Sequence, residues 1–175
     1  MTEAQLSNAM DAYGSTVYRL ALTRMQNIAD AEDVYQEVFL RLWKQAAEDW
    51  DGDRAKAWLI RTTLNRCADL HRFHLRRPVL SFAEIPDLAQ PEDESLELWE
   101  AVSRLPEKAR TAVHLYYAEG YSAEEISQLM HIPAATVRTR LHRARKQLKE
   151  LLGGIDDETC VSRSDGTNFG PQRAE

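Results

Sequence analysis

The side chains with the clearest chemical capacity lie near the C-terminal end of the 175-residue chain: Thr136, Arg138, Thr139, His142, Arg143 and Lys146. Arginine can bond guanine bidentately, threonine reaches base edges or phosphate oxygens, and further cations suit a phosphate backbone. They interleave with Val137, Leu141, Ala144, Leu148 and Leu151, which recur at intervals of four, three, four and three. That period puts the apolar set on one helical face, turned inward, and leaves the polar set on the other. Residues 134–152 carry six Lys or Arg against one acid, Glu150. A helix with one apolar and one strongly basic face has the chemistry to read duplex DNA.

A second group lies on the helical stretch Ala55–Arg77. Trp58, Arg61, Thr62, Asn65, Arg72, Phe73 and Arg76 share one side, and Leu59, Ile60, Leu64, Cys67 and Leu70 the other. Cations for phosphates, flat rings for stacking and an amide for an unpaired base edge together suit single-stranded nucleic acid. The same pattern is also met if Trp58 and Phe73 pack on neighbouring helices and the arginines only solubilise. A third group lies on Asp30–Trp43, where Val34, Tyr35, Val38 and Leu42 should meet a core. Gln36, Leu40 and Trp43 point away from that stripe with Glu37 beside them, giving a second apolar face. Periodicity leaves two coverings for it open, a neighbouring helix of the same bundle or a separate partner.

The elements that must position these groups are all helical, so the fold class is all-α, with two small helical domains. Ser122 and Glu125 form an S-x-x-E capping box that starts one helix, whose stripe is Ile126, Leu129 and Met130. His131-Ile132-Pro133 interrupts it before the basic helix begins, which completes a helix-turn-helix. Upstream, Leu96, Trp99, Val102 and Leu105 predict a helix ending at Pro106, and a second runs from Pro106 to Glu119, closed by Gly120. Both should pack under the helix-turn-helix. Residues 78–95 hold three prolines and a run of acids, and read as a linker between a domain at 1–77 and one at 96–152. Residues 153–175 lack periodicity and read as a disordered tail.

Net charge is −6, yet it is unevenly placed. Residues 54–77 hold seven basic groups and one acid, whereas 78–100 hold seven acids and no Lys or Arg. Two basic blocks therefore flank an acidic connector, and the local field governs attraction of a polyanion. Two cysteines, Cys67 and Cys160, make no disulfide framework, and the lone His71/His74 pair reads as surface or core and not as a metal site. No phosphate loop, nucleophile–base pair or metal cluster stands out, so neither an enzyme nor a cofactor is expected. No apolar run approaches membrane-spanning length, and the N-terminus lacks a basic segment and apolar core of signal type, which predicts a cytoplasmic protein without membrane insertion.

The order of these motifs resembles the extracytoplasmic-function (ECF) sigma factors of bacterial RNA polymerase. The resemblance is carried by Asp30-Ala31-Glu32-Asp33 with Gln36-Glu37-Val38-Phe39 and Trp43, then by Ala57-Trp58-Leu59 with Arg61 and Asn65. It continues through Leu105-Pro106-Glu107, Gly120, Ser122, Glu125, Ile132-Pro133 and Arg140 to Arg145, and covers roughly residues 10 to 152. It implies a region 2 domain, a linker and a region 4 domain. Asp33, Gln36, Glu37 and Leu40 would dock on the clamp helices of the largest polymerase subunit, and region 4 on the flap of the second-largest. Trp58, Arg61, Asn65, Arg72 and Arg76 would open and hold the minus-ten element of promoter DNA, with Asn65 at a base-contacting position. Thr136, Arg138, Thr139, His142, Arg143 and Lys146 would read the minus-thirty-five element. An anti-sigma factor is an expected partner. His131 stands where relatives usually have glycine, which implies strain if the turn is left-handed. A stand-alone helix-turn-helix regulator binding an operator also explains the C-terminal half, but leaves the Asp30 and Ala55 helices without a role.

Overall fold

The computed structural model describes residues 2–45, 52–76 and 93–153, and these are helical with no strand among them. The linker expected at 78–95 and the tail expected at 153–175 lie almost entirely outside the described residues. Thr2 opens α1 (Glu3–Met25) with a capping box: the Gln5 N–H donates to Thr2 Oγ1 at 3.2 Å, and the Thr2 N–H to Gln5 Oε1 at 2.8 Å. The helix ends on Gln26 in the left-handed region, and Asn27 at once caps α2 (Ile28–Lys44) by accepting from the Asp30 N–H at 2.9 Å. The helix therefore starts at Ile28, two residues before the start expected from the acids at Asp30. The third helix, α3, spans Gly52–Arg76.

These three helices enclose a core of Val17, Ala21, Leu22, Met25, Ala31, Val34, Val38, Phe39, Leu42, Leu59, Cys67 and Leu70. Gly14 lets α1 approach α2, since a Cβ there would stand 3.0 Å from the Tyr35 hydroxyl. Cys67 is fully buried, and desolvation pushes its thiol up to about 12.

The second half comprises α4 (Asp93–Ser103), α5 (Glu107–Val113), α6 (Ala123–Met130) and α7 (Ala134–Leu151). The helix expected from Pro106 to Glu119 widens at its end. Residues His114–Ala118 form a π-turn, with the Glu119 N–H reaching back five residues to His114 O at 3.2 Å. Gly120, at φ +76°, turns the chain into the helix-turn-helix.

The core of this half joins Leu105, Ala112, Leu115, Ile126, Leu129, Val137, Leu141 and Ala144 to Leu20 of α1 and to Ile60 and Leu64 of α3. The two halves thus pack on each other. Each side chain of that size, when fully buried, contributes about 1.5–3 kcal/mol. Because α3 is covered on two flanks, Thr62 is buried and leaves the polar side on which its spacing had placed it. Two other inward expectations are corrected. Trp99 is 39% exposed because α4 meets the body through Ala101 and the following Leu105, and Leu151 is 37% exposed because the helix outruns the core at its last turn.

Candidate nucleic-acid interface

The helix-turn-helix is built by the residues that mark it in the sequence. The Ser122 N–H donates to Glu125 Oε2 at 2.8 Å and the Glu125 N–H to Ser122 Oγ at 3.2 Å, which fixes the start of α6. His131 takes the left-handed conformation (φ 52°, ψ 46°) that ends it, so the strain expected at this non-glycine position is present. Pro133 then starts α7, its carbonyl accepting from Thr136 N–H at 2.8 Å. Val137, Leu141 and Ala144 are buried and Leu148 half-buried. That anchors the helix and leaves Arg138, Thr139, His142, Arg143 and Lys146 exposed, with Thr136 half-buried beside them.

Two of these groups already have partners. Arg138 Nη1 pairs with Glu124 Oε1 of α6 at 2.6 Å, and Thr139 Oγ1 donates to Ala135 O at 2.9 Å. Both members of the ion pair are largely exposed, so the pair is weak.

On α3, Trp58, Arg61, Asn65, Arg72 and Arg76 fall within roughly 60° of one another at about 100° per residue. Arg61, Asn65, Arg72 and Arg76 are exposed, and Trp58 is half-buried with its ring against the N-terminal core. Arg72 is paired with Asp69, one turn back. Toward the end of this helix Arg66, Asp69, Leu70, Arg72, Phe73 and Arg76 line an open groove of about 540 Å³, with the Phe73 ring 50% exposed. The helical spacing already placed Arg72, Phe73 and Arg76 on this side, but not Arg66. Its position, one residue after Asn65 on a long basic helix, was the available signal.

On α2, Asp33, Gln36 and Leu40 are exposed and Glu37 is half-buried. Leu40 is 52% and Trp43 42% exposed, so no neighbouring helix among the described residues covers the second apolar face. Glu37 accepts from Arg41 Nε at 2.9 Å, and that hydrogen bond holds its carboxyl below the usual range. His71 and His74 face carboxylates, Glu107 at 3.8 Å and Asp30 at 3.6 Å. No metal-binding cluster occurs among the described residues, and none of their helices is long and apolar enough to cross a membrane.

Comparison with known proteins places these surfaces in a family. The Sigma-70 region 2 model matches residues 9–78, and the Sigma-70 region 4 model residues 95–148. The chain is 30% identical over 167 residues to SigW, an ECF RNA polymerase sigma factor of Bacillus subtilis, covering 83% of this chain and 88% of SigW. It belongs to the ECF sigma factors. It is also 34% identical over 161 residues to the ECF RNA polymerase sigma factor SigE of Mycolicibacterium smegmatis, 86% of this chain, and it spans 62% of SigE's length. In fold it is similar to the sigma factor RpoE of Bartonella quintana, solved with the anti-sigma factor NepR. That TM-score is 0.71 at 24% identity, covering 85% of this chain and 97% of that one. The region 2 match of this sigma factor holds α2 and α3, and the region 4 match holds the α7 residues from Thr136 to Lys146.

Proposed function

We propose that this chain is a promoter-specificity subunit that joins bacterial core RNA polymerase in the cytoplasm and directs where transcription begins. Residues 1–77 act as region 2 and 96–152 as region 4, with 78–95 as the linker between them. Asp33, Gln36, Glu37 and Leu40 of α2 dock on the clamp helices of the largest subunit, and region 4 meets the flap of the second-largest. The α3 face of Trp58, Arg61, Asn65, Arg72 and Arg76 opens and captures the minus-ten strand. The α7 face of Thr136, Arg138, Thr139, His142, Arg143 and Lys146 reads the minus-thirty-five duplex. No covalent chemistry is required. Contacts available only after strand separation bias the promoter toward its open state, since a ligand shifts an equilibrium by its difference in affinity for the two states. An anti-sigma factor is an expected partner, as one is for the Bartonella relative solved with NepR.

The observation that carries this reading over a stand-alone operator-binding regulator is the uncovered apolar face of α2, with Leu40 and Trp43 beside the exposed Asp33 and Gln36. The regulator reading leaves that face without a role, whereas docking on polymerase gives it one. Core polymerase should co-purify with the wild-type chain and be lost with Leu40→Arg, while the variant keeps its helical circular dichroism. Equal recovery with both would contradict the assignment of this face. Tight, specific duplex binding by the isolated protein, without polymerase, would favour the regulator.

A further inference from the structure

We propose that Tyr13 is a positioning residue for strand capture: by tying Gly52 to α1 it holds the end of α3 from which Trp58, Arg61 and Asn65 meet the minus-ten strand. The proposal rests on the function given above. The Tyr13 hydroxyl donates to the Gly52 carbonyl at 3.0 Å, joining α1 to the first residue of α3 across 39 positions of sequence. Both partners lie within the region 2 match, residues 9–78. The Tyr13 ring is half-buried and packs on the same cluster of buried side chains as Trp58, so its hydroxyl is presented from a fixed body.

Two features show what this contact does. Gly52, Asp53 and Arg54 are exposed, and the first buried side chain of α3 is Ala55. The turn before Ala55 therefore gains nothing from apolar burial, and helix ends, whose first amides lack intrahelical partners, are the parts that fray. A hydrogen bond from another helix opposes that fraying. The second feature is the glycine itself. Glycine is a poor helix former, and no left-handed backbone calls for it here, since the glycines with positive φ among the described residues are Gly120 and Gly153. Space explains it: a Cβ at Gly52 would stand 3.1 Å from the Tyr13 hydroxyl oxygen, closer than ordinary van der Waals contact. Gly14 repeats the device beside it, leaving room for the Tyr35 hydroxyl of α2. Two consecutive residues of α1 thus set the approach of α3 and of α2.

Trp58 lies six residues beyond Gly52, roughly 9 Å along the helix axis, and Arg61 and Asn65 follow on the same face. Side chains that stack on a base or bond its edge bind more tightly when they are held in place beforehand, because ordering them on contact costs affinity. The Tyr13 bond ends on α3 and on neither of the helices assigned to polymerase docking and duplex reading. Its loss should fall on strand capture and spare the other two activities.

The test uses the full chain bound to core polymerase, and a promoter located by mapping the 5′ ends of transcripts made from genomic fragments. The probe is a fluorescent single-stranded oligonucleotide carrying the non-template minus-ten sequence of that promoter. Tyr13→Phe removes only the hydroxyl, and should weaken oligonucleotide binding and slow open-complex formation about twofold to fivefold, the lower range for one hydrogen bond open to water. Affinity for core polymerase, and for a duplex carrying only the minus-thirty-five element, should be unchanged. Gly52→Ala should bring a similar loss, because its methyl displaces the hydroxyl, and should cost nothing further when Tyr13 is already phenylalanine. Full oligonucleotide binding by Tyr13→Phe, equal loss of all three activities, or additive losses in the double variant would each overturn the proposal. If Tyr13→Phe melts below the assay temperature, Gly52→Ala, which keeps the ring and its hydroxyl, decides alone. A wild type that supports no start on any fragment would overturn the sigma reading and this proposal with it, whereas an active wild type matched by both single variants overturns this proposal alone.

Discussion

Replacing Arg110 with alanine should cost about 4 kcal/mol of stability, and the sum follows from where its bonds end. The guanidinium serves four carbonyls. Those of Thr23 and Leu105 are reached through buried bonds, while those to Ser103 (3.0 Å) and Arg24 (3.2 Å) are part-buried. Water can replace the donor at the last two, leaving two dry acceptors at about 1–3 kcal/mol each. Removal also relieves the desolvation of a cation whose own pKa is lowered, chiefly by burial, with Glu107 opposing that shift. The range for breaking a buried charged cluster, about 3–5 kcal/mol, brackets the result. For a chain of this size that is a fall of roughly 8–16 °C in Tm. Urea unfolding followed by circular dichroism measures it directly. Lysine should lose most of the same energy, since one ammonium cannot reach four carbonyls from a single point. A loss under about 1 kcal/mol for alanine would mean that desolvation had cancelled the bonds, and the reasoning would be wrong.

Burial lowers the His114 pKa below 6.5, with Glu119 opposing and Arg19 reinforcing the shift. The unfolded chain therefore takes up the proton first as pH falls, so unfolding free energy should be level above about pH 7 and decline below 6.5. His114→Gln should flatten that part of the decline in pH-dependent urea titrations; an unchanged slope would assign it to other groups. His131→Gly should raise stability by about 0.5–1 kcal/mol, as relief at φ 52° exceeds the entropy glycine adds to the unfolded chain. Destabilisation by thermal melt would show that the histidine side chain matters more than its backbone. Arg143→Ala should weaken promoter binding by polymerase carrying this subunit by about 1–3 kcal/mol and relax preference at one base pair. Unchanged affinity and preference in a binding-site selection would remove Arg143 from the reading face.

The helix-turn-helix was legible almost residue by residue, because its signals are local: a capping box, an interrupting proline and an apolar period. The left-handed turn at His131 was legible too, from the residue type that usually fills it. The second face of α2 was visible as a pattern, but whether a neighbouring helix covered it depended on tertiary contacts, and Leu40 and Trp43 proved uncovered. What the sequence hid was contact between distant elements. Thr62 is buried because α3 is covered on two flanks, and Ile60 and Leu64 serve the second half of the chain although they read as part of one apolar side. Arg110 and Glu119 carry no local signal at all. Their partners in the N-terminal half are more than 60 residues away, and a single arginine in an amphipathic helix looks like any solvated one. Leu151 and Trp99 erred for the opposite reason, since periodicity continues past the point where a core ends.

A sigma factor tells core polymerase where to start. Purified core polymerase, incubated with a genomic library of promoter fragments with and without the full chain, gives the direct measurement by mapping transcript 5′ ends. A set of starts present only with the protein, preceded by two shared sequence elements and lost with Leu40→Arg, is the expected result. No protein-dependent start on any fragment would contradict it.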